Sequence, residues 1–295
     1  MMKLMYSVFC FFFRFFTKIK DEIRLSKQEE NISDLKIQKD IFYVKDNNEY
    51  HKLDIIRRKE FDDERIIVDI HGGGLMYGDK ELNRHFNYRL ARKGYVVISL
   101  SYRLIPNVGI VQQLKDCFDA LSYLDENCDN LRLTFDKFYI VGDSAGGLLT
   151  YLIASINANT SLMKSLNFEY KHFNILSICT ISCMSSLKRK DNLKFIIKVA
   201  LPHNNIEIYN SLYDTPLLIS SLTPSWIMFT SDNDMIRNDS YQLKKVIEKN
   251  NIELEFYDYE TRTNKLEHVF PVIYPDYKES KDVINKIDSF FKKHS

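Results

Sequence analysis

The sequence predicts an α/β fold: a mostly parallel, eight-stranded sheet with helices on both faces. Three observations lead there. Runs of β-branched and aromatic residues alternate with stretches of helical periodicity from about residue 41 to the end. A serine sits in Gly142-Asp143-Ser144-Ala145-Gly146-Gly147, between the apolar runs Phe138-Tyr139-Ile140-Val141 and Leu148 to Ala154. Six of only nine glycines fall in two short stretches, Gly72 to Gly74 and Gly142, Gly146 and Gly147, so unusual backbone is concentrated in two loops.

Composition bounds the rest. A chain of 295 residues holds one large domain with a full core. Apolar residues at 45% and charged residues at 27% are ordinary for a globular protein, and a net charge of +1 leaves no electrostatic case for nucleic-acid binding. The five cysteines are odd in number and form no C-x-x-C, so free thiols and a reducing compartment are expected. Cys and His show no metal-ligand spacing, and no metal or organic cofactor is expected.

In chain order, Met1 to Phe16 is apolar apart from Lys3, Ser7 and Arg14, and carries seven aromatics. As a helix it spans about 24 Å, short of a hydrocarbon core of about 30 Å. Three readings stand: a short membrane anchor with Lys18, Lys20 and Arg24 at the headgroups, a lid helix over an apolar active-site mouth, or a secretory signal. The last lacks a small-residue cleavage site, since Thr17-Lys18-Ile19-Lys20 follows, and the N-x-S sequons at Asn31, Asn159 and Asn238 argue little for secretion in so Asn-rich a chain. The location is left between cytoplasmic and membrane-associated. Asp21 to Asp40 is charged and reads as an exposed helix.

Ile41 to Val44 and Lys52 to Ile56 read as two strands joined by a polar hairpin at Asp46-Asn47-Asn48. Arg65 to Ile70 is a buried strand ending at His71-Gly72-Gly73-Gly74. A helix over Asn83 to Arg92 follows, then the strand Tyr95 to Leu100. Leu114, Phe118, Leu121 and Leu124 mark an amphipathic helix ahead of the serine motif. Beyond it, Phe173 to Cys183, Ser225 to Phe229 and Leu254 to Tyr259 read as strands. Tyr241 to Lys249 and Lys278 to Lys293 read as helices, and about 185–222 as an insertion.

The chemistry follows from the serine. A strand that turns at once into a helix brings the residues two before and two after its apex together, which suits Gly142 and Gly146 and leaves the Ser144 hydroxyl exposed above the sheet, at a helix N-terminus. A serine hydroxyl needs a base, normally a histidine oriented by a carboxylate, and on such sheets the chain order is Ser, Asp or Glu, His. His172 precedes a strand, His203 lies in the insertion and His294 at the terminus, whereas His268 follows the last strand. The carboxylate should follow the strand Ser225 to Phe229. Asp232 and Asp234 both qualify, and spacing does not choose between them. Gly73, Gly74 and Ala145 can aim backbone N–H groups at an oxyanion. His71 reads as a structural residue of the glycine loop.

His71-Gly72-Gly73-Gly74 with Gly142-Asp143-Ser144-Ala145-Gly146-Gly147 resembles the hormone-sensitive lipase branch of the α/β-hydrolases, which includes bacterial carboxylesterases and arylacetamide deacetylase. The family's Y-R-L-A-P-E is similar to Tyr102-Arg103-Leu104-Ile105-Pro106-Asn107, with Ile105 and Asn107 as departures. Its D-P-L-x-D loop aligns with the segment beginning Asp234-Met235-Ile236, without the proline, and its H-x-F with His268-Val269-Phe270. The resemblance implies an α/β-hydrolase fold with Ser144, Asp234 and His268 as catalytic residues and Gly73, Gly74 and Ala145 as the oxyanion hole. It also implies a catalytic domain over 41–295 under a lid formed by 1–40 and the insertion at about 185–222. The expected activity is cleavage of carboxylic esters, short-chain or lipophilic, through an acyl-enzyme, with a small-molecule ester as partner and a membrane surface reached through Met1 to Phe16. An amide-cleaving deacetylase or formamidase, and a non-catalytic binder on the same fold, are the alternatives.

Overall fold

The computed structural model describes residues 2–28, 30–60, 65–188 and 206–295. Eight strands form one sheet: β1 (Leu35–Phe42), β2 (Lys52–Arg58), β3 (Ile66–Ile70), β4 (Val96–Leu100), β5 (Phe138–Asp143), β6 (Ile175–Ile181), β7 (Ser225–Ser231) and β8 (Leu254–Tyr259). Their order across the sheet is β1-β2-β4-β3-β5-β6-β7-β8. β1 and β2 pair antiparallel, as do β2 and β4, and every pairing from β4 to β8 is parallel. The central strands β3, β4 and β5 are buried along their whole length. Their unbroken apolar runs are what a parallel strand covered on both faces requires.

The helices supply those covers. α1 is Met2–Lys27, α2 Arg84–Arg92, α3 Ile110–Glu126, α4 Ser144–Asn157, α5 Arg237–Lys249 and α6 Lys278–Lys293. One apolar layer holds Leu114, Phe118 and Leu121 of α3, Leu148 and Leu152 of α4 and Leu243 of α5, packed on Val68, Ile98 and Ile140 of the sheet. The opposite layer holds Phe86 and Leu90 of α2 with Val283, Ile287 and Phe291 of α6, packed on Ile67, Val97, Tyr139 and Ile227. The amphipathic positions read from sequence in α3, Leu114, Phe118, Leu121 and Leu124, face the first of these layers.

Two boundaries differ from the sequence reading. Asp21 to Asp40 is not one helix. α1 runs to Lys27 and β1 already begins at Leu35, so position 40 lies within the sheet. The physical reason is that β1 is an edge strand with a half-exposed, Lys-rich pattern, whose alternation is masked by its charges. The insertion at about 185–222 is described only at its ends. Its middle, with His203, lies outside the described residues, and the part that follows contains a helix at Ile206–Tyr213. The five cysteines carry free thiols, four of them buried.

α1 is packed across the carboxyl ends of the strands. Arg14 donates to the carbonyls of Met76 (2.6 Å) and Ile105 (2.5 Å), Arg24 to those of Leu82 and Val272 (both 3.2 Å), and Gln28 to that of Ile273 (2.6 Å). None of the described helices is long and apolar enough to cross a membrane.

Candidate active site

The corner at Ser144 has the tight geometry its glycines foretell. A Cβ on Gly142 would stand 2.5 Å from the Gly146 carbonyl oxygen, and one on Gly146 would stand 2.0 Å from that of Ile70. Ser144 itself holds φ at +51°, left-handed backbone that costs a side-chain-bearing residue roughly 1–2 kcal/mol. The corner puts the hydroxyl above the carboxyl end of β5, in the middle of the sheet, at the first turn of α4.

The loops after β7 and β8 bring up two partners. His268 Nε2 lies 2.9 Å from Ser144 Oγ, and His268 Nδ1 lies 2.7 Å from Asp234 Oδ1. Asp234 Oδ2 accepts from the Thr230 hydroxyl (2.9 Å), and Oδ1 from the Ile236 N–H (3.0 Å). Burial opposes ionisation of Asp234, but the hydrogen bond and charge of His268, the Ile236 N–H and the Ser182 hydroxyl outweigh it and hold its carboxyl below the usual value. Asp232 is exposed, and its carboxylate accepts from its neighbour Asn233. Of the two acids that spacing left open, Asp234 is the one that reaches the imidazole.

The two loops are laced together. Asn233 and Glu267 form a parallel bridge beyond the ends of β7 and β8, and the Ser231 hydroxyl donates to the Leu266 carbonyl at 2.8 Å. Val269 sits at φ +52°, an unusual conformation for a β-branched residue, with its N–H donated to Ser182 Oγ at 3.0 Å. Ser182 therefore touches both the acid and the base loop. It carried no signal in the sequence beyond its place after β6.

Gly73 and Gly74, at φ +97° and +63°, turn the chain after β3. A Cβ on Gly73 would meet the Tyr77 carbonyl oxygen at 2.1 Å. Among the described residues, no acceptor takes the N–H of Gly73 or Gly74. Ala145 begins the turn of α4, where N–H groups have no intrahelical partner. His71 stacks on Tyr102 (ring centroids 4.4 Å apart) and donates Nδ1–H to the Gly72 carbonyl at 2.8 Å. Burial lowers its pKa to about 4, so it is a neutral prop of the loop.

Beneath the loop lies a polar network that sequence reasoning missed. Asp143 Oδ1 accepts from the Gly72 N–H (2.9 Å) and from Asn83 Nδ2 (2.8 Å). The same amide donates to Asp69 Oδ1 (3.1 Å), while Asp69 Oδ2 accepts from Asn87 (2.7 Å) and Ser99 (3.2 Å). Burial raises the pKa of both carboxyls, that of Asp69 to about 7. The available signal was an acid in the middle of the apolar strand β3, which needs partners wherever it is buried.

A cavity of about 270 Å³ opens over Ser144 and His268. Its floor is Gly73, Gly74 and Asp143, and its walls include Met184, Ile236, Val269 and Val272, with Phe13, Thr17, Asp21 and Arg24 of α1 along one side. The site so built combines a strained serine between a parallel strand and a helix, an imidazole and a carboxylate on the next strand ends, and a glycine turn with free donors. On this sheet it defines an α/β-hydrolase.

The chain belongs to the BD-FAE family, whose model matches residues 53–238. That stretch includes Gly73, Gly74, Ser144, Ala145 and Asp234 and stops short of His268. The chain is similar to Lipase 2 of Moraxella sp. (strain TA144), with 24% identity over 70% of this chain and 56% of that protein. It is 30% identical to the hormone-sensitive lipase of Mus musculus over 30% of this chain and 12% of that one, in keeping with the expected branch. The chain thus spans little more than half of the first of these relatives and a small part of the second. Its fold matches that of esterase B from Lactobacillus rhamnosis, crystallised with a tributyrin phosphonate. The TM-score is 0.85 at 23% identity, over 94% of this chain and 91% of that one.

Proposed function

We propose that this protein hydrolyses carboxylic esters through an acyl-enzyme, taking lipophilic esters at or near a membrane surface. The observation that carries the reading is the unbroken line from Ser144 Oγ through His268 to Asp234, at 2.9 and 2.7 Å, opening on an apolar cavity. Ser144 Oγ attacks the ester carbonyl as His268 Nε2 takes its proton. Asp234 holds the imidazole with Nδ1–H toward itself and favours the cation that forms. The negative oxygen of the tetrahedral intermediate is held by the N–H groups of Gly73, Gly74 and Ala145, each such donor lowering the barrier by ~3 kcal/mol. His268 then protonates the departing alcohol, and water, deprotonated by the same nitrogen, releases the acid and restores Ser144.

The cavity supports a short acyl group or a slim alcohol, since its volume falls just below the ~300–1,000 Å³ typical of drug-sized ligands. α1, as one wall, serves as a lid element. The names of the chain's relatives, two lipases and an esterase, agree with ester chemistry. The test is a fluorophosphonate probe with a panel of p-nitrophenyl esters and matched anilides. The wild-type chain should label and cleave esters, and Ser144→Ala should do neither while keeping its circular dichroism and thermal midpoint. Wild-type turnover by Ser144→Ala would sink the reading, and preference for the anilides would reassign the chain to amide cleavage.

A further inference from the structure

The outer side of α1 is built the wrong way round for a helix in water. Val8, Phe12, Phe15, Phe16, Ile19 and Ile23 recur at three- and four-residue steps and so share one face. All six are between 41% and 60% exposed. The opposite face carries the polar groups that fix the helix to the body: Arg14, Asp21, Arg24 and Gln28. An ordinary surface helix buries its apolar stripe and wets its charges. Here the stripe is what solvent meets, and a contiguous exposed apolar patch marks an interaction site.

The charges beside the stripe identify its occupant. On a helical projection Lys18 falls along one border beside the exposed Glu22, and Lys20 and Lys27 fall along the other. Lys18 is 69% exposed in its side chain, and its only acidic neighbour at ion-pair distance among the described residues is Glu22, at 3.7 Å. Apolar residues in the middle with lysines on both flanks are the pattern of a helix lying in the plane of an anionic lipid surface, acyl chains below and headgroups at the sides. Because the helix is too short of apolar residues to cross a membrane, in-plane contact is the mode left to it. The same helix walls the cavity over Ser144 with Phe13, Thr17, Asp21 and Arg24, so a surface that receives the stripe lies against the substrate entrance.

We propose that α1 docks the protein in plane on an anionic lipid surface through Val8, Phe12, Phe15, Phe16, Ile19 and Ile23, with Lys18 and Lys20 meeting lipid phosphates. This rests on the ester-hydrolase reading only for its purpose, and binding is measurable without turnover. The full chain is centrifuged with sucrose-loaded vesicles of phosphatidylcholine alone and of phosphatidylcholine with phosphatidylglycerol, and its mass in solution is measured without lipid. The wild type should sediment with both vesicles, more strongly with the anionic ones. A Phe12→Ser/Phe16→Ser double variant should lose about tenfold or more in partitioning to both. Lys18→Glu/Lys20→Glu should lose only the anionic increment, and salt should do the same. Both variants should keep wild-type turnover of soluble p-nitrophenyl acetate, which would show that fold and site are intact. A wild-type monomer that stays in the supernatant overturns the proposal. So does a lipid-free dimer that the Phe12→Ser/Phe16→Ser change dissolves, since the face would then belong to a second copy. Loss of turnover with vesicle binding intact would count against the hydrolase reading and not against this one.

Discussion

Asp143 stands between Ser144 and the glycine loop. It precedes Ser144 in the chain, and its carboxylate accepts the Gly72 N–H so closely that a Cβ on Gly72 would stand 2.4 Å from Oδ2. Asn83 holds that carboxylate from behind, with its two amide hydrogens shared between Asp143 and Asp69. Its own Oδ1 is buried without a partner among the described residues, so the side chain is anchored only through its donors. Asn83→Ala should therefore leave Asp143 under-bonded and let the glycine loop drift. We expect kcat on a soluble ester to fall about 10- to 100-fold with KM within a factor of about three, and stability to fall by ~1–3 kcal/mol. Steady-state kinetics with a denaturation curve check this, and inactivation by a phosphonate should slow in proportion to kcat.

At the scale of elements, the distance between α4 and the sheet is set by absent side chains. Gly146 on α4 faces the carbonyls of Ile70 and His71, which a Cβ would meet at 2.0 and 2.5 Å, both backbone atoms that cannot swing aside. Gly146→Ala should push α4 off β3 and cost about 3 kcal/mol or more, read as a lower urea midpoint. This part of the fold was legible beforehand because close approach leaves its mark on composition: in a glycine-poor chain, glycine gathers where the backbone must touch. The order serine, acid, histidine was legible too, since it follows strand order. Spacing alone did not choose between Asp232 and Asp234, because both fit one loop; the resemblance of the segment beginning at Asp234 pointed to Asp234, and the folded loop turns that residue toward His268. The start of β1 at Leu35 was hidden for another reason. An edge strand carries charges on its open side, and Lys36, Gln38, Lys39 and Asp40 made it read as exposed helix. The Asp69–Asn83–Asp143 network joins residues from three separate segments, and no local pattern announces it.

For the whole molecule, the buried acid on β3 ties stability to pH. Burial lifts the Asp69 pKa to about 7 from an ordinary value near 3.9. Between those two values the folded chain holds a proton that the unfolded chain has released. Stability contributed here is full at low pH, falls as pH rises through this window and levels off above about 7. The slope for one such group is at most ~1.4 kcal/mol per pH unit. Asp69→Asn, a neutral side chain of the same shape, should flatten the difference. Its unfolding free energy relative to wild type should climb from pH 5 to pH 7, and chemical denaturation at both values checks it. A difference that stays constant, or shrinks, would mean that Asp69 is ionised throughout.

α1 spans the mouth of the site as a tie-bar. Arg14 grips the glycine-loop side at Met76 and Ile105, Gln28 grips the histidine side at Ile273, and Arg24 holds both sides at once through Leu82 and Val272. The two banks of the cleft are thereby yoked to one rod, and neither can swing out alone. On the proposed reading, a bulky ester then enters only when that rod lifts, whereas a slender one can slip beneath it. How far those banks can part depends on how firmly that helix is bolted down.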